Sequence, residues 1–389
     1  MNEQAIMRIA LVTDGIYPYV MGGMQKHSFY LCKYLAKQGV DIDLYHTNQS
    51  EFDIRKLENF NDEERSRITS IVIPFPASDR LPGHYIRSSY RYSLAVAAAY
   101  SQRPPVDFIY AKGFAGWKLA MDKESGRLKT AFAVNFHGYE MFQPPPNRKA
   151  WLEQKLLLCG PVRYICQHAD FVMSYGSKIT DIIRTIPVED KKIVAFPTGI
   201  ESDWLTEQAK PNSGVIRFLF VGRFERRKGI QELHAAIEKI NDPRAEFHFI
   251  GPMPDKNKLS RSNVHYHGPV SKQEDIRAIY RTCDLLICPS YSEGMPNVIL
   301  EAMASGLAIL ATDVGAVDLM VGADNGKLIS LTNLSRLEDS ILWFLGLSAA
   351  DLMHLKRSSI DKVKKKFLWE EIAKQHLAFF EKHKQINGF

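Results

Sequence analysis

The stretch "DLLICPSYSEGMPNVILEAMASGLAILATDVGA" (284–316) decides the fold. "DLLICP" is a short apolar run of strand length, and "YSEGMP" has the Gly and Pro of a loop. "NVILEAMASG" has a helical apolar pattern, and "LAILAT" is a second buried strand. A helix between two short apolar strands is a βαβ unit, which implies a parallel sheet. Pro296 suits a first helical turn and Gly306 a helix stop. Glu293 therefore falls in the loop, and Glu301 falls more than a turn into the helix. Glu301 lies between Leu300 and Ala302–Met303, so its carboxylate needs a partner.

The same rhythm extends outward from this unit. Strands are expected at 8–14, 41–47, 68–74, 107–111, 130–136, 170–175 and 192–197, and a helix at 24–39 ending on Gly39. The polar stretch "LTEQAKPNSGVIRF" (205–218), with Pro211 and Gly214 close together, reads as a linker. Alternation then restarts with strands at 216–222, 245–251, 264–268, 284–289 and 307–312, and a helix at 228–240. Ser271 and Glu274 have capping-box spacing. "WEEIAKQHLAFFEKH" (369–383) is an amphipathic helix. The fold class is α/β, with two Rossmann-like, doubly wound parallel-sheet domains at 1–205 and 206–368.

Length and composition agree with two domains. The chain has 389 residues, 45% hydrophobic and 24% charged, which suits two ordinary globular cores. No apolar run is long enough to cross a membrane, and "MNEQAIMRIALVTDG" lacks the pattern of a secretion signal, so a cytoplasmic protein is expected. The five cysteines show no C-x-x-C pairing, which argues against a disulfide framework and a cysteine zinc site. They read as buried, inert thiols. A net charge of +6 fits an anionic ligand or surface. The run "DKVKKKF" (361–367) reads as the solvated end of a helix. No nucleic-acid partner is indicated.

In open parallel sheets, ligands bind beyond the carboxyl ends of the strands, and the chemistry-bearing residues sit there. "TDGIYPYVMGGMQKH" (13–27) puts Gly22 and Gly23 just before a helix. That is either a flexible turn or a loop whose N–H groups approach an anion. It is not G-x-G-x-x-G, so the dinucleotide fingerprint is absent and an oxidoreductase is disfavoured. "VGRFERRKG" (221–229) carries Arg223 and Lys228 five apart. Together they could neutralise a diphosphate without a metal, or they could belong to a solvated basic loop with Arg226 and Arg227. "NFHGYEMF" (135–142) places His137 and Glu140 after a strand of the first domain. A carboxylate such as Glu293 or Glu301 can accept paired hydrogen bonds from vicinal hydroxyls of a sugar.

With these residues assembled, the chain resembles the retaining glycosyltransferase family 4, a GT-B group of nucleotide-sugar transferases. "SEGMPNVILEAMASGLAILATDVGA" resembles its E-x7-E signature, and "VGRFERRKG" its G-R-x-x-x-x-K-G element. "MGGMQKH" resembles its glycine loop, and "FPTGIESDWL" (196–205) the segment entering the linker. The resemblance implies that the two domains face each other across a cleft. It implies that Arg223, Lys228, Gly22 and Gly23 hold the donor diphosphate. By the same resemblance Glu293, Gly294, Met295, Pro296 and Asn297 hold the donor sugar, Glu301 binds the ribose hydroxyls, and His137 lies near the donor sugar. Glu293, His137, Arg223 and Lys228 are then the catalytic group, with no metal and no cofactor beyond the nucleotide-sugar substrate. The family's final helix crosses back onto the first domain, so 369–389 is expected there. Two departures stand out: Thr198 where the family often has asparagine, and "DVGAVDLMVG" (313–322), which is one residue short, with Asp318 where glutamate is common.

The expected activity is retaining transfer of a hexose from a UDP- or GDP-sugar to a glycan, glycolipid or lipid-linked acceptor in cell-surface polysaccharide biosynthesis. "LPGHYIRSSYRYSLAVAAAY" (81–100) and "RKAWLEQKLLLCGPVRYICQH" (148–168) mix basic, aromatic and apolar residues. They read either as packed helices or as a peripheral contact of the N-terminal domain with the inner face of a membrane. The rival readings are a catalytically silent GT-B binding protein, a phosphorylase and a nucleotide-sugar epimerase.

Overall fold

A computed structural model describes residues 6–20, 22–47, 60–77, 81, 83–145 and 147–384. The first five residues, Met21 of the glycine loop, Pro82 and residues 385–389 of the tail lie outside the described residues. The chain divides into two compact units. The first holds the chain up to Phe142, Lys149–Thr198 and everything from Trp369 onward; the second holds Gln143–Arg148 and Gly199–Leu368. The stretch 205–218 read as a linker belongs wholly to the second unit.

The first unit runs β1 (Arg8–Val12), α1 (Gly23–Lys37), β2 (Asp41–His46), α2 (Asp62–Ser66), β3 (Ile68–Val72), α3 (His84–Ser101), β4 (Phe108–Lys112), α4 (Trp117–Glu124) and β5 (Ala131–Asn135). It continues through α5 (Arg148–Glu153), a π turn at Gln154–Leu158, α6 (Cys159–His168), β6 (Phe171–Ser174), α7 (Ser177–Arg184) and β7 (Ile193–Ala195). Its sheet has the order β3-β2-β1-β4-β5-β6-β7. The pairs are parallel, with Ile9 opposite Ile42 on one side and Phe108 on the other.

The second unit runs β8 (Ile216–Val221), α8 (Ile230–Lys239), β9 (Ala245–Ile250), β10 (Val264–Gly268), α9 (Gln273–Thr282), β11 (Leu285–Cys288), α10 (Asn297–Ala304), β12 (Ala308–Thr312), β13 (Gly326–Ile329), α11 (Leu337–Leu345) and α12 (Ala349–Lys366). Its parallel sheet has the order β10-β9-β8-β11-β12-β13. Each sheet is therefore doubly wound. The chain reverses direction between β1 and β4 in one unit and between β8 and β11 in the other, and those are the switch points where loops part to leave a crevice.

The strands β4, β5, β11 and β12 are buried on both faces, which is why they read as unbroken apolar runs. α13 (Trp369–His383) belongs to the first unit. Trp369 stacks on Tyr34 and Phe380 lies 4.6 Å from the ring of Phe108, so the helix closes the core over β4 and α1. In the second unit the buried Lys356 ammonium donates to Asp284 Oδ1 and to the Lys210 carbonyl, both at 2.7 Å, tying α12 to β11 and to the polar stretch ahead of β8.

Two sequence expectations need correction. Ser271 and Glu274 do not cap α9: Lys272 holds the cap position, and no side chain bonds there. Helix initiation by side-chain capping is replaced by packing, since Tyr280 of α9 is fully buried. The segment after the Asp313–Gly315 turn makes only a single 3-10 turn, Val317–Leu319, before β13, a strand that hydropathy alone missed.

Candidate active site

Two loops meet at the β8/β11 switch point. Residues 222–229 follow β8, and residues 289–296 follow β11. Gly229 has φ +66, and any Cβ there would run into the Pro289 carbonyl, so glycine is what lets the loops touch. The Tyr291 amide donates to the Arg227 carbonyl at 2.8 Å, and Arg227 Nη1 donates to the Ser292 carbonyl at 3.1 Å. From the other side Gly315, at φ +58, packs on the carbonyls of Glu293 and Gly294, and the Ala316 amide donates to the Gly294 carbonyl at 2.8 Å. The Glu293 loop is held by its backbone on both flanks.

This clamping brings Lys228 and Glu293 together. Lys228 Nζ donates to Glu293 Oε1 at 2.6 Å, and Arg227 Nη1 stands 3.6 Å from Oε2. Glu293 is 7% exposed. Burial alone would push its pKa up, but the charges of Lys228 and Arg227 and hydrogen bonds from Lys228 and Ser290 outweigh it. The carboxyl is held below its ordinary value and is ionised at neutral pH.

The four basic residues of the loop have different tasks. Arg226 bonds Glu232 and the Tyr291 hydroxyl and lies over the Tyr291 ring, so it fastens the loop to α8. Arg227 and Lys228 face Glu293. Arg223 is 69% exposed and pairs with Glu225 at 3.0 Å, so it does not converge with Lys228. Arg227, which the sequence could not separate from a solvated cluster, is the cation that joins Lys228.

Pro296 caps α10 in an extended conformation, φ −71 and ψ 120, one position before the first turn. Asn297 opens the helix and Met295 is buried. Glu301 lies on the second turn, also buried, and its Oε2 accepts the Tyr280 hydroxyl at 3.0 Å. Tyr280, on α9, is the partner that the sequence required but did not name.

In the first unit, Gly22 is the cap of α1 and Gly23 its first residue. Gly22 is extended, so its φ does not demand glycine; the room is taken by Gln25, whose amide donates to Asp14 at 2.7 Å. Nothing lies within 4 Å of where a Cβ on Gly23 would be. Burial pushes the Asp14 carboxyl up to about 6, against the Gln25 hydrogen bond. His137 follows β5 in the left-handed region at φ +55. Its Nδ1 bonds the Tyr175 hydroxyl, its own amide bonds Asn135, and its Nε2 is buried with no hydrogen-bond partner among the described residues. Beside it Lys112, at the end of β4, is fully buried. Its Nζ lies 3.3 Å from His27 Nδ1 and 3.6 Å above the Tyr110 ring. Burial lowers Lys112, His27 and His137 well below their ordinary values, and the neighbouring Lys112 adds to the shift of both histidines. Lys112 was not legible beforehand, because a lysine closing a strand reads as an exposed end.

Comparison with known proteins identifies the family and the fold. The family model described as Glycosyltransferase Family 4 matches residues 21–204, and that described as Glycosyl transferases group 1 matches residues 216–346. The chain belongs to glycosyltransferase family 4. TuaC of Bacillus subtilis, named as a putative teichuronic acid biosynthesis glycosyltransferase, is 38% identical over 124 residues, 32% of this chain and 31% of that protein. A Campylobacter jejuni enzyme, N,N'-diacetylbacillosaminyl-diphospho-undecaprenol alpha-1,3-N-acetylgalactosaminyltransferase, is 30% identical over 45% of this chain and 48% of its own length. The matches thus span about a third to a half of these two relatives. Among solved structures, sucrose-phosphate synthase from Thermosynechococcus elongatus superposes with a TM-score of 0.78 at 19% identity, covering 97% of this chain and 98% of that one. Its likeness is one of fold, and the family 4 chain is GT-B in architecture. No described helix is long and apolar enough to cross a membrane.

Proposed function

We propose that the chain transfers a hexosyl group from a nucleotide-diphosphate sugar to a glycan, glycolipid or lipid-linked acceptor of cell-surface polysaccharide biosynthesis, with retention at the anomeric carbon. The observation that carries this reading is the Lys228–Glu293 pair, flanked by Arg227, at the switch point of the second sheet. As the sugar leaves, negative charge grows on the diphosphate. Lys228, Arg227 and a reoriented Arg223 stabilise that charge, and their gain is largest in the transition state. Glu293, kept ionised, accepts hydrogen bonds from hydroxyls of the sugar, and Glu301, steadied by Tyr280, accepts those of the ribose. Gly22 and Gly23, at the start of α1, present N–H groups to the phosphates, and His137 lies near the sugar. In this reading the protein supplies cations and positioning, and transfer itself needs neither metal nor cofactor.

The acceptor reading rests on family membership and on the lipid-linked acceptor in the Campylobacter relative's name. A cytoplasmic site with peripheral membrane contact goes with it. On the first unit Trp151, Leu152 and Leu156 are exposed beside Lys155, and Leu157 adjoins the start of α3, where Leu81 and Tyr85 are also exposed. Sedimentation with vesicles tests this contact: anionic vesicles should carry the protein down, and Trp151→Ala/Leu156→Ser should release it. Equal binding by that variant would remove the patch from the reading.

The activity is tested by a melting screen of the protein with UDP, GDP and ADP and their hexose conjugates in chelator-treated buffer. One nucleotide family should raise the melting temperature, and Lys228→Ala should abolish the rise. Incubation with that donor and a lipid-linked acceptor should give an α-linked product from an α-linked donor by proton NMR. A β-linked product would overturn retention, and a folded protein that ignores every nucleotide would favour a silent binding module.

A further inference from the structure

The outer strands of the second sheet carry a second cluster of polar side chains. β9 alternates: Phe247 and Phe249 enter the core, while Glu246 and His248 turn to the opposite face. On the edge strand β10, Tyr266 packs against Phe249 on the core side. His265 and His267 alternate with it onto the other face, and the register places His265 beside His248. One carboxylate and three imidazoles therefore share one face of two neighbouring strands. β8 places Arg217 beside Glu246. The register Arg217–Glu246 lies near the amino ends of the strands, whereas the donor-site loops leave from the carboxyl ends.

The ligand atoms of Glu246, His248 and His265 all lie within 4.8 Å of one another. His248 Nε2 is 3.7 Å from Glu246 Oε2, too long for a hydrogen bond, and it is buried with no hydrogen-bond partner among the described residues. Its other nitrogen, Nδ1, is 3.1 Å from His267 Nε2. When Nδ1–H donates to His267, the lone pair of Nε2 points toward a carboxylate. Two electron-rich atoms facing each other without a proton between them are stabilised by a cation placed between them. A ring fixed through one nitrogen and open at the other is also how metal-binding histidines are held.

We propose that Glu246, His248 and His265 form a site for one divalent ion of the zinc type, with His267 orienting His248. Nitrogen and carboxylate ligands suit Zn2+, Co2+ or Ni2+ better than Mg2+ or Ca2+. In a tetrahedral zinc site, ligand atoms at 2.0–2.1 Å from the metal stand about 3.3 Å apart. The Glu246–His248 separation is near that value, and His265 closes the rest by a side-chain rotation. Arg217 Nε donates to Glu246 Oε2 at 2.9 Å, so the metal takes Oε1 or shares the carboxylate. Bound there, the ion would pin the edge strand β10 to β9. The site is separate from the donor site and makes no part of the transfer step.

Isothermal titration of EDTA-stripped, tag-free protein with Zn2+ tests this, together with the visible spectrum of the Co2+ form. Wild type should bind one equivalent with micromolar affinity or better, the Co2+ form should show the strong absorption of a four-coordinate site, and the second unit should melt higher. His248→Asn and His265→Asn should each weaken binding at least tenfold, and His265→Asn should leave sugar transfer unchanged. No uptake by folded wild type at 100-fold excess would overturn the proposal. So would an equivalent that both variants retain, because that ion would be held by other histidines.

Discussion

Lys228 Nζ and Glu293 Oε1 stand 2.6 Å apart, so the cation and the anion of the candidate donor site neutralise each other before any ligand arrives. A diphosphate must draw Lys228 away from, or share it with, this carboxylate. Lys228→Ala should lower transfer at least a hundredfold and weaken nucleotide binding, because among the described residues Arg227 at 3.6 Å is then the cation left beside Glu293. Glu293→Gln should also lower kcat by about a hundredfold, yet bind the bare nucleoside diphosphate as tightly as wild type or more so. Calorimetry on both variants reads the contrast. Equal loss of nucleotide affinity in the two would remove Glu293 from the sugar side of the site.

Tyr280 and Glu301 allow a graded test. Tyr280 donates the 3.0 Å bond that fixes the carboxylate. Glu301→Ala should raise the donor dissociation constant by about tenfold or more with little change in kcat, and Tyr280→Phe should give a smaller change of the same kind. A fall in kcat at unchanged KM would place Glu301 in the chemical step.

Acid should unfold the first unit steeply. Burial lowers His376 to about 3, and His27 and His137 shift the same way. Below the ordinary histidine value of 6.5 the unfolded chain binds protons that the folded chain refuses. Each such histidine removes about 1.4 kcal/mol of stability per pH unit as pH falls from 6.5 toward its folded value. His376→Phe should flatten this slope, measured from melting temperatures between pH 7 and 5. Asp14 has the opposite sign. Its carboxyl, raised to about 6, is easier to bury protonated, so its burden grows from pH 4 to 6 and persists above. Asp14→Asn should stabilise the protein above pH 6, by no more than about 3 kcal/mol.

Lys356 and Asp284 form a buried ion pair in the second unit. Lys356→Met should destabilise that unit by about 3 kcal/mol, because it takes the ammonium partner from the buried Asp284 carboxylate and leaves the Arg217 amide at 3.0 Å. Adding Asp284→Asn should restore most of the loss. Scanning calorimetry distinguishes the two variants.

The architecture was legible because parallel strands buried on both faces leave unbroken apolar runs, as in "LAILAT", and because the helices between them end on Gly39 and Gly306. β13 was not legible: "GKLI" is short and half polar, and it exists through its pairing with β12. The roles within the basic loop were equally hidden. Arg226 and Arg227 are neighbours in sequence, yet Glu232 takes one and Glu293 the other, and only tertiary contacts sort them. The histidines of β9 and β10 lie 17 positions apart and meet only through strand register. Cysteine spacing carries no information about them.

α13 follows every described strand of both sheets in sequence, yet it lines the core of the first unit, whose strands precede those of the second. Until it emerges, Phe108, Tyr110 and the buried side of α1 lack the cover that Trp369, Ile372 and Phe380 provide. The second unit, nearly continuous from Gly199 to Leu368, has all of its chain available earlier. The order of synthesis and the order of completion are thus reversed between the two halves. A chain stopped just after Leu368 would carry the Lys228 and Glu293 loops in place on an unfinished N-terminal half, and would be more exposed to chaperones and proteases than its length suggests.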